Sequence, residues 1–280
     1  MDDVLHTLIR RALAEDGAEA DITTLSTVPA EQIAQGTIVT RQAGVIAGLR
    51  ALSETFHVFD PRITVEALVA DGASVQAGQE LVHLSGPARS LLSAERVALN
   101  FLGRLSGIAT LTAHSVHALE GTGARILDTR KTTPGLRALE KEAVRLGGGH
   151  NHRSGLHDGV LIKDNHIKAA GGILAAVRAA RNQAPHLLKI EIECETLVEV
   201  EQALQAGADG ILLDNMSLEV MRRAVELVRN NDPRMLLEAS GSIGTDTTKL
   251  ANVAATGVDF ISLGALTHSA PNFDVSLEFA

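Results

Sequence analysis

The chain is predicted to be an α/β protein, with an α/β barrel of about six to seven parallel strands, short of the usual eight, and a smaller sheet-containing domain. Three observations predict this. From residue 124 onward a β-then-α rhythm appears six times. The strand candidates in that stretch are almost continuously apolar and alternate with amphipathic helices, as in parallel sheets covered on their faces. Before it, from about 34 to 86, short β-prone runs are punctuated by Gly and Pro. A flat doubly wound sheet is the alternative arrangement of the same alternation.

Taken in order, Val4, Leu5, Leu8, Ile9, Ala12 and Leu13 recur at helical spacing and predict an amphipathic helix over 3–16. The runs GTIVTR, GVIAG, ITVEALV and ELVHLSG predict a small sheet. DGASVQAGQELVHLSG has the look of a lipoyl-carrier hairpin, but no lysine sits at its tip, so an ordinary sheet turn is expected. Residues 88–119 read as a helix linking two domains, with Gly103 and Gly107 available as breaks. The barrel strands are RILDT, GVLIKDN, LKIEIECE, GILLDN, RMLLEAS and DFISLGA. Alternating Phe273, Val275, Leu277 and Phe279 predict a final strand returning to the small domain. The expected division is therefore 1–108 with 267–280, and 109–266.

Composition narrows the function. A net charge of −9 and the absence of Trp and Tyr argue against nucleic-acid binding, which rewards cationic faces and stacking rings. No secretory signal or apolar span is legible, and the lone Cys194 fits a reducing compartment, so a cytoplasmic enzyme with no membrane partner is expected. Cys194 is expected to pack as a small apolar residue.

The chemistry is expected where barrels carry it, at the C-terminal ends of the strands. Those ends hold Asp128, Arg130 and Lys131; Lys163, Asp164 and Asn165; Glu191, Glu193 and Glu195; Asp214 and Asn215; Glu238, Ser240 and Gly241; and Gly264. GGGHNHRSGLHDG adds His152 and Arg153. Arg130, Lys131, His152, Arg153 and Lys163 form a cationic set suited to an anionic ligand, since Arg grips a carboxylate by two bonds while Lys supplies a movable charge. Glu193 and Asp214 could hold Mg²⁺, which takes one or two carboxylates along with water and phosphate oxygens. SGSIG (240–244) and LGAL (263–266) are expected to bind a phosphate. One or both of Glu191 and Glu195 are expected to form interior ion pairs, while His150 and His152 lack the spacing of a metal pair; His114, His117 and His268 are read as structural.

The motifs DTRKTTPGLRALEKEAV, GGGHNHRSGLHDGVLIKDNH, LLDN, EASGSI and GALTHSAP, together with EDxxxxDITT and ERVALNFLGRLSGIAT, closely resemble those of quinolinate phosphoribosyltransferases over nearly the whole chain. The resemblance implies a small α/β sandwich plus an incomplete α/β barrel, acting as a homodimer with shared active sites on quinolinate and phosphoribosyl pyrophosphate. It also implies site roles. Arg130, His152, Arg153 and Lys163 would line the quinolinate site, and Arg96 would reach it from the other protomer. Lys131, Glu193 and Asp214 would face phosphoribosyl pyrophosphate and Mg²⁺, while Ser240, Gly241 and Gly264 would take the terminal phosphate. Lys131 and Lys163 are candidate proton donors, and no organic cofactor is required.

This chain departs from the family in having Ala20 before Asp21, where Gly is usual, and Ser242 in the phosphate turn, where the usual sequence is ASGGI. The alternatives are a related molybdenum-utilisation protein, which shares the DTRK and HR-x-G segments, and a non-catalytic binding module using the hairpin region.

Overall fold

The computed structural model describes residues 2–279. Two compact units divide the chain, the first formed by Met1–Leu111, Pro134–Gly147 and Ala270–Ala280, the second by Thr112–Thr133 and Gly148–Ser269.

The first unit opens with α1 (Asp2–Asp16), in which Leu5, Ile9 and Leu13 are buried at four-residue spacing, and α2 (Ile22–Thr27), whose N-terminus is capped by Asp21 accepting from the Thr24 amide. There follow β1 (Ile33–Thr40), β2 (Gly44–Val45), α3 (Leu49–Phe59), β3 (Thr64–Ala67), β4 (Ser74–Val75), β5 (Glu80–Pro87) and α4 (Ala88–His117). The lipoyl-like run is an ordinary sheet turn between β4 and β5. The core of this unit is largely aliphatic, with Ile38, Leu52, Ile63, Leu81 and Leu91 fully buried beside Phe56.

Asp60, at the end of α3, accepts from Arg62 Nε at 3.0 Å and Nη2 at 2.8 Å and from Ser90 Oγ at 2.6 Å. The Arg62 hydrogen bonds, aided by Ser90 and opposed by burial, hold its carboxyl down to about 2. A depressed carboxylate stabilises the fold above its ordinary range and loses that contribution as pH falls from about 4 towards 2. Because Arg62 is largely exposed, the contribution is discounted to about 1 to 2 kcal/mol. Asp60→Asn should therefore lower the denaturation free energy by that amount at pH 7, with the gap closing by pH 2. A gap independent of pH would contradict this account.

Gly103 and Gly107 do not break α4, which runs uninterrupted through both. They serve close approach instead. A Cβ on Gly107 would lie 2.0 Å from the Pro271 carbonyl oxygen, and one on Gly103 would lie 2.9 Å from that of Phe273, whose amide donates to Gly103 O at 2.8 Å.

The chain continues with β6 (Arg125–Leu127), α5 (Arg137–Leu146), β7 (Val160–Ile162), α6 (Asp164–Ala170), α7 (Ile173–Gln183), β8 (Ile190–Cys194), α8 (Leu197–Ala206), β9 (Gly210–Asp214), α9 (Leu218–Asn231), β10 (Leu236–Ser240), α10 (Thr247–Ala254), β11 (Phe260–Ser262), α11 (Ala265–His268) and β12 (Val275–Phe279). Although it follows the first barrel strand, α5 belongs to the first unit, where buried Glu140 pairs with Arg104 at 2.8 Å. In that unit β12 returns to β1 as an antiparallel neighbour, and the sheet order is β12-β1-β5-β3.

The second unit is a parallel six-stranded sheet of order β6-β11-β10-β9-β8-β7. A doubly wound sheet would place its first strands centrally; here the first strand, β6, pairs with the last, β11, as a closing barrel requires. Closure stops between β6 and β7. His150 makes a single parallel bridge to Leu127 on that side, so the barrel is incomplete.

Strand parity decides what faces inward. In β8, Ile190, Ile192 and Cys194 are buried on one face, leaving Glu191 and Glu193 half-buried on the other. Burial pushes the Cys194 thiol up to about 12, consistent with an inert packed side chain.

Candidate active site

All six parallel strands deliver their C-terminal ends to one cavity of about 500 Å³. Thr129, Arg130 and Lys131 follow β6, Lys163 follows β7, Glu193 lies on β8 and Asp214 on β9, Ser240 ends β10 and Ser262 ends β11. His152, Arg153, Glu238, Gly241 and Ser242, with Leu161, Leu212 and Asn215, complete the lining. Nine residues singled out from the sequence (Arg130, Lys131, His152, Arg153, Lys163, Glu193, Asp214, Ser240 and Gly241) thus share one cavity.

Two residues lie elsewhere. Gly264 sits beside Lys131, where an added Cβ would come 2.9 Å from Lys131 Cδ and 3.1 Å from His268 Nε2. His268, read as structural, is exposed next to this glycine. Arg96 is on α4 in the first unit, with its side chain 64% exposed and 4.0 Å from Glu95.

The segment carrying His152 and Arg153 is held by fully buried Asp128, which accepts from the Asn151 side chain and, at 2.9 Å, from the His152 amide. His152 Nδ1 accepts the Arg153 amide at 2.7 Å, which assigns its proton to Nε2, and Nε2 faces Glu191 at 3.2 Å and Glu238 at 3.6 Å. Burial disfavours the imidazolium, but the two carboxylates outweigh it and raise the pKa; the acceptor role of Nδ1 resists the second proton. Glu238 is 3% exposed, and among the described residues its Oε1 has no hydrogen-bond partner. Burial, then Glu191, push its carboxyl upward.

The cationic wall crowds like charges. Arg153 donates to Gly159 O at 2.9 Å, and burial together with the Arg130 guanidinium lowers its pKa. Lys163 Nζ lies 3.6 Å from Glu193, whose carboxyl is raised by burial and by Asp214 against the pull of Lys163. An anion against the arginines and a cation against the acids would each relieve this crowding.

Carboxylate oxygens of Glu193, Glu195 and Asp214 lie within 4.8 Å of one another, an oxygen-only set that suits a hard divalent cation. Of Glu191 and Glu195, one or both of which were expected in interior ion pairs, Glu191 pairs internally with His152, while Glu195 is an exposed member of this set. Asp128, Asn215 and Glu238 were legible only as strand-end residues; their partners are not encoded in spacing. Ser242 takes the place of glycine without a left-handed backbone, since Asn215 is the only non-glycine residue with positive φ among the described residues.

Comparison with known proteins agrees with this geometry. The family model for the quinolinate phosphoribosyl transferase C-terminal domain matches residues 108–278, and the model for the N-terminal domain matches 21–106. The chain belongs to the quinolinate phosphoribosyl transferase family. These enzymes are pentosyltransferases. The chain is 46% identical over 281 residues to the nicotinate-nucleotide pyrophosphorylase [carboxylating] of Mycobacterium leprae, covering 99% of this chain and 97% of that one. It is 43% identical over 274 residues to the probable enzyme of that name from Bacillus subtilis, covering 98% and 93%. Among solved structures, the nicotinate-nucleotide pyrophosphorylase from Francisella tularensis aligns with a TM-score of 0.94 at 40% identity, covering 100% of this chain and 97% of that one. These likenesses favour the quinolinate phosphoribosyl transferase reading over the molybdenum-utilisation and binding-module alternatives.

Proposed function

We propose that the cavity joins quinolinate to the phosphoribosyl group of phosphoribosyl pyrophosphate, releasing pyrophosphate and CO₂ and leaving nicotinate mononucleotide, a precursor of NAD. One observation carries this reading: a protein of net charge −9 gathers Arg130, Lys131, Arg153 and Lys163 around a single cavity, with Glu193 and Asp214 in the same lining.

Both substrates are anions that repel each other in water, and the cationic wall offsets that repulsion. Arg130, His152, Arg153 and Lys163 hold the two pyridine carboxylates, the guanidiniums by paired hydrogen bonds. This fixes the ring nitrogen facing ribose C1. The nitrogen forms the new bond as the C1–O bond to pyrophosphate breaks, and the protein contributes position and a prepared field. Lys131 faces the pyrophosphate, and Ser240, Gly241 and Gly264 take the 5-phosphate. The electron pair left when the 2-carboxylate departs as CO₂ stays on that ring carbon, stabilised by the adjacent cationic nitrogen, so the chemistry asks for no organic cofactor. Lys163 or Lys131 returns a proton to that carbon.

Glu193 and Asp214, with Glu195 beside them, would hold Mg²⁺, which would neutralise the departing pyrophosphate. The enzyme works as a homodimer in which the partner subunit's Arg96 completes the quinolinate site, a reading supported by the exposed guanidinium of Arg96. It is placed in the cytoplasm; no helix among the described residues is long and apolar enough to cross a membrane.

Calorimetry followed by product assay tests the reaction. Quinolinate should bind the purified protein, and adding phosphoribosyl pyrophosphate with Mg²⁺ should release pyrophosphate and CO₂ in equal amounts, with chelation of the metal stopping turnover. Binding of neither substrate would eliminate the assignment.

A further inference from the structure

We propose that Asn215 is a positioning residue that ties the Asp214 carboxylate to the Ser240–Ser242 turn, so that the edge facing the cation and the turn facing the phosphate are set together. The proposal rests on the reaction described above and adds a residue to which that reaction assigns no part.

Asn215 lies just beyond the end of β9, exposed to the cavity, with φ 53°. Its side chain reaches in two directions. Nδ2 donates to Asp214 Oδ2 at 2.7 Å, and Oδ1 accepts the Ser242 amide at 3.1 Å. The two partners fix which end of the amide is which, because the Ser242 N–H can only donate and the carboxylate accepts. A third bond runs from the Asn215 amide to the Ser240 carbonyl at 3.1 Å. The turn fits around this side chain: at Gly241, with φ 110°, an added Cβ would lie 2.3 Å from Asn215 Oδ1 and 2.9 Å from its backbone nitrogen.

Ordinary structural duties do not account for Asn215. The following helix, α9, has its own cap in Ser217, which accepts from the Val220 amide. The exposed asparagine fills no core space. A left-handed backbone is unfavourable for a residue with a Cβ and persists where the surroundings over-determine it, often at functional sites. Here the surroundings are the two groups to be aligned. Lys249 supports the far side of the turn by donating to the Ser242 carbonyl, so the turn is held from both ends.

Two substitutions separate the amide from the backbone. Asn215→Gly accepts positive φ without cost but removes both side-chain bonds. Asn215→Asp keeps an acceptor for the Ser242 amide and removes the donor to Asp214, setting two carboxylates side by side. Both variants should raise the KM for phosphoribosyl pyrophosphate about tenfold while the KM for quinolinate stays within about twofold. Amide hydrogen exchange read on a peptide covering 240–246 should quicken about tenfold in Asn215→Gly, with α9 and α10 unchanged. An Asn215→Gly protein with wild-type KM values and wild-type exchange would overturn the proposal, because the backbone conformation alone would then suffice. A wild-type protein without transferase activity would remove the reaction, not the tie; exchange in 240–246 would still decide it, and unchanged exchange would reject it.

Discussion

Arg153→Ala is expected to reduce kcat/KM for quinolinate by about thirtyfold to several thousandfold, because truncating one member of a buried charged pair costs about 2 to 5 kcal/mol and each 1.4 kcal/mol is a factor of ten. On the proposed function, an anion is held at this point. Arg153 lines the cavity, is crowded by Arg130, and sits on a segment held by buried Asp128. Folding should survive, since the fold loses one hydrogen bond, to the Gly159 carbonyl, a contribution of about 1 kcal/mol. Arg153→Lys should recover only part of the activity, because an ammonium keeps the charge without the planar fork. Steady-state kinetics varying quinolinate at saturating phosphoribosyl pyrophosphate makes the measurement. An alanine variant within threefold of wild type would remove Arg153 from the site.

Gly107→Ala is expected to cost about 3 kcal/mol of stability, at the upper end for overpacking a tight contact. The sign is what makes the test informative, since alanine inside a helix ordinarily gains about 1 kcal/mol over glycine. Here the added carbon would lie 2.0 Å from the Pro271 carbonyl oxygen and 3.1 Å from its carbon, so the segment leading to β12 must move away from α4. Moving it strains the bond from the Phe273 amide to the Gly103 carbonyl. Gly123→Ala is the control, with nothing within 4 Å of the added carbon and no positive φ. Denaturant midpoints that match for the two variants would show that the 271–273 segment yields freely.

The architecture was legible because its signals are periodic. Six apolar strands with helices between them, and the period-two pattern ending at Phe279, are properties of the chain read locally, and each strand motif contains a strand of the structure. The strand ends then named most of the cavity lining by rule. The partnerships were not legible, since they depend on distances across the barrel: nothing in the spacing of Glu191 and Glu238 says that both turn to His152, or that Glu195 joins Glu193 and Asp214. Gly103 and Gly107 were misread for a related reason. Local propensity makes a helical glycine a weak point, and the use made of its missing Cβ appears only when a segment more than 160 residues later is brought against it.

The pairing of β6 with β11 has a consequence for the order in which the molecule assembles. Arg125 faces Phe260, and in the other sheet Gly36 faces Phe279, so each sheet is completed by a segment made long after its partner. Partners so distant must bear a large loop-closure entropy before any bond rewards them, and topologies of this kind fold slowly. During synthesis the first parallel strand and the β12-facing edge of β1 therefore wait until those distant partners have been made. Folding assays on nascent chains should show the parallel sheet closing only once Phe260 has emerged and the other sheet only once Phe279 has.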